Sequence, residues 1–537
     1  MIHRRFDASR HRFAHSPIRS FWAGALLLTA CASSVQAAIV LRPIGQYDTG
    51  RFDESAAEIT AFDSGHARLF LINGDRPLVD ALDLSKPWAP RLAFSLDIAA
   101  FGAAANSVAV HGDLVAVAVE AEDTQAPGRA VFYSTAGELL ASVEVGSLPD
   151  MITFTPDGKK VLVANEGEPK DYCSPGLAAD PEGSISVIDL SAGAAGLTQA
   201  AVTTAGFAAF NGGVPAGVRI FGPGATVAQD LEPEYITVSP DSRTAWISLQ
   251  ENNALAVLDL TTDTITALLP LGTKDHSLAE NALDPSDRDG ASRIQTWPVH
   301  GMYQPDGIAT VSAGGETFVL TANEGDSRDY DCYSEETRVE DLALDPAVFP
   351  DAAALQKKDA LGRLKTTTAN GDDNHDGLFE TIFSYGARSF SVWSADGQLV
   401  WDSGHDLELI TAGLLPMDFN SDGPDNFDGR SDDKGPEPEG IVTGIFRDRR
   451  YAFIGLERVG GVMIYDVTDP RRPAFVQYAT NRGAAGAPAT GTTPDQGPEG
   501  LVFIPKADSP ISRALLVVAN EVSGTVTIYS VLPRTEE

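Results

Sequence analysis

The chain has 537 residues, of which 75 are Asp or Glu and 39 are Lys or Arg, so its formal net charge is −36. An acidic excess of this size argues against a nucleic-acid or anionic-membrane partner, because both need basic patches. With 43% hydrophobic residues the chain can build a large core, which excludes wholesale disorder.

The first 37 residues predict a secretory signal peptide. Five arginines precede the apolar run 21–30, and Val35-Gln36-Ala37 offers a cleavage site of the small-x-small type. We therefore expect an exported protein, either periplasmic or secreted. The run Leu28-Thr29-Ala30-Cys31 also resembles a bacterial lipobox, so a lipid anchor at Cys31 is the alternative. No later segment approaches the ~20 apolar residues of a membrane-spanning helix.

The rest of the chain repeats one pattern. A Pro-acid pair is followed by a short β-rich run, a turn, a second apolar run and an Asn-Glu pair or a variant of it. The clear copies are 149–166, 233–251, 305–324, 438–457 and 498–521, and weaker copies are 58–73 and 106–120. Each copy begins a longer unit that is typical of four short antiparallel strands without helical periodicity between them, which is the signature of a propeller blade.

The sequence therefore predicts an all-β fold over residues 38–537, namely a single β-propeller of about seven blades with four antiparallel strands each. Several repeats exceed the usual ~40–45 residues of a blade, so the excess must form long loops at one mouth. These insertions are 167–183, 205–230, 272–303, 325–385 and 403–437. Two smaller β domains are the alternative.

The repeats place carboxylates at one edge of the predicted propeller. The Pro-acid pair precedes the first strand and the Asn-Glu pair ends the second, so antiparallel pairing brings them ~5 Å apart. We expect the first strand to line the central channel, which aims these acids at one mouth. They are Asp150, Glu166, Glu234, Glu251, Asp306, Glu324, Glu439, Glu457, Glu499 and Glu521.

So many carboxylates cannot all stay ionised unless cations compensate them, because like charges raise one another's pKa. Oxygen-only ligands favour Ca²⁺, although another divalent metal would also fit. The sequence thus predicts a calcium site at the mouth. The alternative is that the acids cap turns or only solvate a face.

A second metal signal is local. Asp372, Asn374 and Asp376 precede Gly377 with the Asp-x-Asn-x-Asp-Gly spacing of a calcium-binding loop. The twelfth position is Phe383 instead of Glu, so this is not an EF-hand, although Glu380 could substitute as a ligand. A polar turn is the alternative. Asp284, Asp287 and Asp289 form a looser cluster of the same kind.

Cys173 and Cys332 occupy equivalent places in two repeats, both on predicted mouth loops. In an oxidising compartment a disulfide is the natural prediction. Free thiols are the alternative, because the two blades are not neighbours.

The familiar catalytic motifs of hydrolases and nucleotide-binding enzymes are missing from the sequence. The candidates for catalysis are therefore single residues on mouth loops. They are Arg328 and Arg430, which could face an anionic substrate, and His276. For the arginines the alternative is salt bridges with the surrounding acids, and for His276 it is a packed or surface position.

Several motifs together resemble the bacterial choice-of-anchor I proteins. The motifs lie at 52–58, 164–169, 322–330, 386–390 and 430–440, and the last includes Ser431-Asp432-Asp433-Lys434-Gly435-Pro436-Glu437. The family is similar to mesenchyme-specific cell surface glycoprotein, and some members are called alkaline phosphatases. The resemblance implies an exported β-propeller held by interchangeable C-terminal anchors, of which we expect none in this chain.

The starts Glu439-Gly440 and Glu499-Gly500 also resemble phytase-like and lactonase-type propellers. That resemblance implies funnel carboxylates that hold Ca²⁺ and an arginine, Arg328 or Arg430, that grips an anionic oxygen. The first functional hypothesis is thus a Ca²⁺-dependent hydrolase, a phosphoesterase acting on a small anionic substrate. The alternative is a non-catalytic cell-surface or periplasmic binding module, stabilised by calcium, that presents its loops to a protein or glycan. We expect a monomer in either case.

Overall fold

Seven four-stranded antiparallel sheets form the body of the protein, and they confirm the predicted β-propeller. The computed structural model describes residues 39–74, 76–173, 180–423, 426–482 and 494–534. The predicted signal peptide and Cys31 lie outside the described residues. The first strand of each blade contacts the first strand of the next blade all round the ring, so the first strands line the channel.

The blades are numbered in chain order, with strands given from the channel outward. Blade 1 has Thr60–Asp63, Arg68–Asn73, Leu78–Asp83 and Arg91–Asp97, and blade 2 has Ala105–His111, Leu114–Val119, Pro127–Ser134 and Leu139–Ser147. Blade 3 has Pro149–Phe154, Lys160–Asn165, Ser184–Asp189 and Val202–Gly206, and blade 4 has Pro233–Val238, Thr244–Leu249, Ala254–Asp259 and Thr264–Pro270. Blade 5 has Ile308–Ala313, Glu316–Asn323, Ser389–Ser394 and Leu399–Asp402, and blade 6 has Pro438–Phe446, Arg449–Leu456, Val462–Asp466 and Ala474–Ala479. Blade 7 has Pro498–Ile504, Leu515–Asn520, Thr525–Pro533 and Ile39–Asp48.

Blade 7 closes the ring with strands from both ends of the described chain. Ile39–Asp48 pairs antiparallel with Thr525–Pro533, from Ile39 opposite Pro533 to Asp48 opposite Thr525. This pairing supplies the outer strand that blade 7 would otherwise lack.

The core lies between the blades. The second strand of every blade is buried along almost its whole length, as in Lys160–Asn165, which reads Lys-Val-Leu-Val-Ala-Asn. Strands that read as nearly continuous apolar runs are covered on both faces, here by the neighbouring blades.

The long insertions carry small elements of their own. Thr273–Asp275, His300–Met302 and Phe383–Ser384 form a three-stranded sheet, while Asp329–Tyr330 pairs with Tyr333–Ser334 and Glu336–Arg338 pairs with Lys365–Thr367. The α-helices are Val227–Asp230, Ala352–Leu355 and Asp406–Leu414, and the 3₁₀ turns are Ala194–Gly196, Gln199–Ala201, Ala208–Phe210, Ala279–Asn281 and Val339–Asp341. Within the described ranges, none of the helices has the length and apolar character needed to cross a membrane.

Candidate metal centre at the channel mouth

A β-bulge at the start of the innermost strands turns acidic side chains into the channel mouth. Pro149 pairs with Asn165, and regular pairing resumes only at Ile152, so Asp150 falls in the bulge. The same irregularity follows Pro233, Pro438 and Pro498. Bulges re-aim side chains at the rims of closed sheets.

These side chains surround a cavity of about 210 Å³ to which all seven blades contribute. In blade order the lining includes Ile59, Asn106, Asp150, Glu234, Asp306, Glu439 and Glu499. Glu58, next to Ile59, is the acid of blade 1 in the corresponding position. The predicted acidic mouth is therefore a ring to which blade 2 contributes an amide instead of a carboxylate.

Three carboxylates of blades 3 and 4 form the first cluster, which we call the blade 3–4 cluster. One oxygen each of Asp150, Glu166 and Glu234 lies within 4.8 Å of the others. Two oxygens bound to the same Ca²⁺ can be up to about 5 Å apart, because each lies 2.3–2.6 Å from the ion. The spacing of the cluster thus fits a shared cation.

No basic side chain balances the blade 3–4 cluster. In the part of the chain that the structure describes, no Lys, Arg or His forms a salt bridge with Asp150, Glu166 or Glu234. Burial and the Glu168 carboxylate raise the pKa of Asp150 to about 7. Burial and the neighbouring acids raise the pKa of Glu166 and of Glu234 well above the usual range. A cation bound between carboxylates that repel one another in this way would stabilise their ionised form.

Glu251 adds a second, independent observation that fits a cation site. Its side chain lies at the end of the second strand of blade 4 and is 6% exposed. Its Oε2 has no hydrogen-bond partner among the described residues, and burial raises its pKa to about 8. Its charge also raises the pKa of Glu166 and of Glu234. A buried, unpartnered acceptor beside three carboxylates is what a cation site requires.

Blades 5 and 6 form the opposite side of the mouth, which we call the blade 5–6 cluster. Oxygens of Asp306, Glu324 and Glu439 lie within 4.8 Å of one another, and so do oxygens of Glu324, Glu437 and Glu457.

In this cluster the chain supplies its own cations. Lys434 Nζ lies 2.6 Å from Glu324 and 3.3 Å from Glu437. Burial opposes the charge of Lys434, but these two carboxylates outweigh it and raise the pKa of the lysine well above its usual range. Arg458 Nη2 lies 2.7 Å from Glu457, and Arg430 Nε donates to Glu437 at 2.7 Å. A lysine and two arginines thus neutralise much of the blade 5–6 cluster.

Glu499 and Glu521 of blade 7 lie next to Glu58 of blade 1. Burial and the Glu521 charge raise the pKa of Glu58 to about 7. Burial and the Glu58 charge raise the pKa of Glu499 well above its usual range. Burial raises the pKa of Glu521, and the positive charge of Arg458 opposes this rise. Within the described ranges, no three carboxylates of these two blades have oxygens that all lie within 4.8 Å of one another.

A disulfide joins two mouth loops beside the blade 3–4 cluster. Cys173 and Cys332 are bonded, as predicted, although they belong to blades 3 and 5. Their loops reach across blade 4, where the Tyr172 N–H donates to the Asp331 carbonyl at 3.1 Å. Tyr330 Oη donates to Glu168 at 2.8 Å, and Glu168 is the acid whose charge acts on Asp150. The disulfide therefore holds an outer layer of the site in place.

The loop 372–380 brings together the residues that its motif predicts. Carboxylate oxygens of Asp372, Asp376 and Glu380 lie within 4.8 Å of one another. Asn374 Nδ2 donates to Glu380 at 2.6 Å, and Asn374 Oδ1 accepts from the Asp376 N–H at 2.9 Å. The backbone N–H groups of Asp376 and Gly377 donate to Asp372. These bonds form a closed turn, and calcium in this loop stays a prediction.

Arg328 lies apart from the cavity. It is 1% exposed, forms salt bridges with Asp230 and Glu232, and packs over the ring of Phe221 at 4.6 Å. This position agrees with the alternative stated for Arg328, in which it forms salt bridges with the surrounding acids instead of facing a substrate.

Arg430 and His276 also have partners of their own. Arg430 pairs with Asp433 and Glu437 and lines a pocket of about 230 Å³ with Lys365 and Lys434. His276 is 1% exposed, its Nδ1 lies 2.5 Å from the Asn281 carbonyl, and burial lowers its pKa well below the usual range.

Comparisons with known proteins agree with the resemblance seen in the sequence. A family model described as choice-of-anchor I domain matches residues 58–470. Gigasin-3a of Magallana gigas is 31% identical over 191 residues, which cover 33% of this chain and 67% of that protein. Mesenchyme-specific cell surface glycoprotein of Strongylocentrotus purpuratus is 31% identical over 278 residues, which cover 45% of this chain and only 35% of that protein.

Solved structures with a similar fold are more distant. Hydrazine synthase of Kuenenia stuttgartiensis has a TM-score of 0.45 and 14% identity, covering 90% of this chain and 98% of that one. The WD40 domain of Toxoplasma gondii coronin has a TM-score of 0.43 and 10% identity, covering 93% and 90%.

Proposed function

Because the chain belongs to the choice-of-anchor I domain family, we propose that it is an exported cell-surface propeller that binds Ca²⁺ at the mouth of its channel. The observation that carries the proposal is the blade 3–4 cluster. Oxygens of its three carboxylates lie within 4.8 Å of one another, and the carboxylates have no basic partner among the described residues. Ca²⁺ takes roughly six to eight oxygen ligands, carboxylates among them, in a flexible geometry, whereas the smaller Mg²⁺ ion demands a near-ideal octahedron.

The cell-surface part of the proposal has three supports. The sea urchin relative is named a cell surface glycoprotein. The first 37 residues predict export. The bond between Cys173 and Cys332 is of the kind that persists in oxidising compartments outside the cytosol.

The bound ion would join two blades. Asp150 and Glu166 belong to blade 3 and Glu234 belongs to blade 4, so a shared cation crosses the boundary between separate sheets. It would also offset the repulsion that raises the pKa of all three groups. We expect Ca²⁺ to raise the melting temperature and to fix the loops that surround the mouth.

The experiment is Ca²⁺ titration of the metal-stripped protein by calorimetry, for the wild type and Glu234→Gln. The matched control is Glu120→Gln, since Glu120 ends the second strand of blade 2 in the position that Glu166 has in blade 3. We expect binding in the wild type and in the control and its loss in Glu234→Gln. Equal binding in all three proteins would refute the site.

A second candidate function is a metal-dependent phosphoesterase. The observation that favours it is the room for a small anionic substrate. The cavity of about 210 Å³ is lined by Asp150 and Glu234 of the blade 3–4 cluster, and the pocket of about 230 Å³, lined by Lys365, Arg430 and Lys434, lies on the side of the blade 5–6 cluster. A divalent cation supplies Lewis acidity and lowers the pKa of bound water. The chain's own part would be to hold the carboxylates in place and to orient the anion.

The test of this second candidate is hydrolysis of p-nitrophenyl phosphate in Ca²⁺ and then in EDTA, with folding followed by circular dichroism. Ca²⁺-dependent turnover by a protein that stays folded, and its loss in Glu234→Gln, would support the phosphoesterase. A protein that binds Ca²⁺ and shows no turnover is a binding module.

A further inference from the structure

A second group of buried acids lies outside the channel, where the insertion before blade 5 meets the insertion before blade 6. Asp284 belongs to the first insertion, and Glu408, Asn420 and Asp428 belong to the second. Each of these four side chains is at most 1% exposed. We call this group, together with Ser431, the insertion cluster.

Hydrogen bonds connect the members of the insertion cluster. Ser431 Oγ donates to Asp428 Oδ1 at 2.5 Å. Asn420 Nδ2 donates to Ser431 Oγ at 2.8 Å and to Glu408 Oε1 at 2.9 Å. The Asp284 N–H donates to Glu408 Oε2 at 3.4 Å. The two insertions therefore meet through one continuous polar network.

Arg388 fixes the backbone around this network. Its Nη1 donates to Glu408 Oε1 and to the Asp284 carbonyl, both at 2.7 Å, and its Nη2 donates to the Ser431 carbonyl at 2.7 Å. The guanidinium thus neutralises Glu408 and holds Asp284 and Ser431 next to each other, but it makes no salt bridge with Asp284 or Asp428.

Two buried oxygens of the cluster have no partner. Asn420 Oδ1 and Asp428 Oδ2 are both inaccessible to solvent and without a hydrogen-bond donor among the described residues. Leaving a buried acceptor unsatisfied is costly. A cation bound between them would satisfy both oxygens together.

The charge balance of the region also calls for a cation. Asp289, whose side chain is 2% exposed, pairs with Arg293 at 3.3 Å. Glu408 pairs with Arg388, whereas Asp284 and Asp428 have no basic partner among the described residues. The Asp284 carboxylate accepts only the backbone N–H groups of Ser286 and Arg293, which carry no net charge. One divalent ion would balance Asp284 and Asp428 in their ionised form.

We propose that Asp284, Asp428 and the amide oxygen of Asn420 bind one hard divalent cation, of the Ca²⁺ class, in a buried site separate from the channel mouth. Carboxylate and amide oxygens are the ligands that such ions prefer. The ion would tie the insertion before blade 5 to the insertion before blade 6. Its role is structural, because the cluster is closed to solvent.

The experiment measures Ca²⁺ stoichiometry by equilibrium dialysis in a Glu234→Gln background, which removes the proposed mouth site. Asp428→Asn is the test, and Asp396→Asn is the control because Asp396 is exposed on a hairpin of blade 5, outside both insertions. We expect Asp428→Asn to lose one Ca²⁺ per chain and the control to lose none. Unchanged stoichiometry in Asp428→Asn would overturn the proposal. Since both proteins lack the mouth ligand, the result does not depend on the mouth site.

Asn420→Asp keeps the proposal testable if Asp428→Asn does not fold. This variant replaces a ligand oxygen by a charged one in the same place. If a cation binds there, the rise in melting temperature caused by Ca²⁺ is larger in Asn420→Asp than in the wild type. If no cation binds, the extra buried charge destabilises the protein and Ca²⁺ gives no additional rise, which would contradict the site. Mg²⁺ in place of Ca²⁺ then tests the size of the preferred ion.

Discussion

On one side of the channel mouth, Lys434 Nζ lies 2.6 Å from Glu324 and Arg458 lies 2.7 Å from Glu457. On the other side, one carboxylate oxygen each of Asp150, Glu166 and Glu234 lies within 4.8 Å of the others, and these acids have no basic partner in the ranges that the structure describes. Both sides are built from the same repeat, with the acid of the Pro-acid pair and the acid after the second strand.

The difference lies in the loops. The stretch 403–437 before blade 6 contributes Arg430 and Lys434 to the mouth, and Arg458 follows the second strand of blade 6. On the other side, Glu168 follows the second strand of blade 3 and Glu232 precedes blade 4, and both are further acids. The repeat therefore supplies a ring of carboxylates, and the loops decide which part of it has basic partners. Under the proposed function, the ammonium of Lys434 would occupy the place that Ca²⁺ would take on the other side.

The largest expected effect comes from exchanging equivalent acids on the two sides. Glu166→Gln should lower Ca²⁺ affinity by about 100-fold or more, because changes to groups that only support a metal ligand already cost 10- to 100-fold. Glu457→Gln, the same position in blade 6, should leave the affinity within a few-fold of wild type. Calorimetric titration of both variants gives the comparison. Equal losses would mean that the two sides share one ion.

Lys434→Met should turn the blade 5–6 cluster into a second ion site. Removing one partner of a buried ion pair costs about 3–5 kcal/mol, since the remaining charges are left unpaired. Without Ca²⁺ we expect a loss of stability of this size in denaturant unfolding, and with Ca²⁺ we expect most of it to be recovered with one more ion bound per chain. Lys434→Arg is the control and should behave like the wild type. A destabilised Lys434→Met that Ca²⁺ does not rescue would show that the lysine does not stand in for a metal.

Much of the mouth could be predicted from the sequence because its acids recur at one position of a repeat. Pro149 opposite Asn165 and Pro498 opposite Asn520 are the pairings that this repeat implies. Salt bridges between basic mouth residues and the acids were among the sequence-based alternatives, but the particular pairs could not be predicted, because Lys434 and Glu324 are 110 residues apart and meet only through the ring.

Single residues on loops were harder to predict than repeated ones. Nothing in the sequence around Arg328 indicates that it is buried in salt bridges with Asp230 and Glu232. The sequence singles out Asp284 as part of a looser acidic cluster, but it does not connect Asp284 with Glu408, Asn420 and Asp428 of the insertion cluster. Asp418, Asn420 and Asp422 before Gly423 nevertheless have the same Asp-x-Asn-x-Asp-Gly spacing as the loop at 372–377. That spacing is the signal that would have drawn attention to Asn420.

The pH dependence should differ between the metal-free and the Ca²⁺-bound protein. The pKa of Asp150 is about 7 in the folded protein, well above the ~3.9 of an unfolded chain. The folded state therefore binds the proton more tightly, and the metal-free protein loses stability as pH rises from about 4 through 7. Ca²⁺ needs the ionised form, so its affinity should rise by about tenfold per pH unit for each proton released. Calorimetry between pH 6 and 8 in buffers of different ionisation enthalpy counts these protons.

The control for this pH effect is Asp150→Asn, which cannot ionise. Its metal-free melting temperature should depend less on pH between 5 and 8 than that of the wild type. A wild-type melting temperature that rises over this range in EDTA, with no difference from the variant, would contradict the assignment of a raised pKa to Asp150.

The smallest expected effect on ion binding comes from the disulfide, which touches only the outer layer of the blade 3–4 side. Replacing both Cys173 and Cys332 by Ser should cost about 2–4 kcal/mol of stability, because the bond closes a long loop. Ca²⁺ affinity should fall by at most about tenfold, the lower end for groups that support a metal ligand. If the disulfide acts through the hydrogen bond that Tyr330 donates to Glu168, then Tyr330→Phe should reproduce the loss of Ca²⁺ affinity and keep most of the folding stability. Loss of affinity in the double Ser variant alone would mean that the disulfide orders the mouth by another route, and no loss in either variant would confine the ion to the three carboxylates themselves.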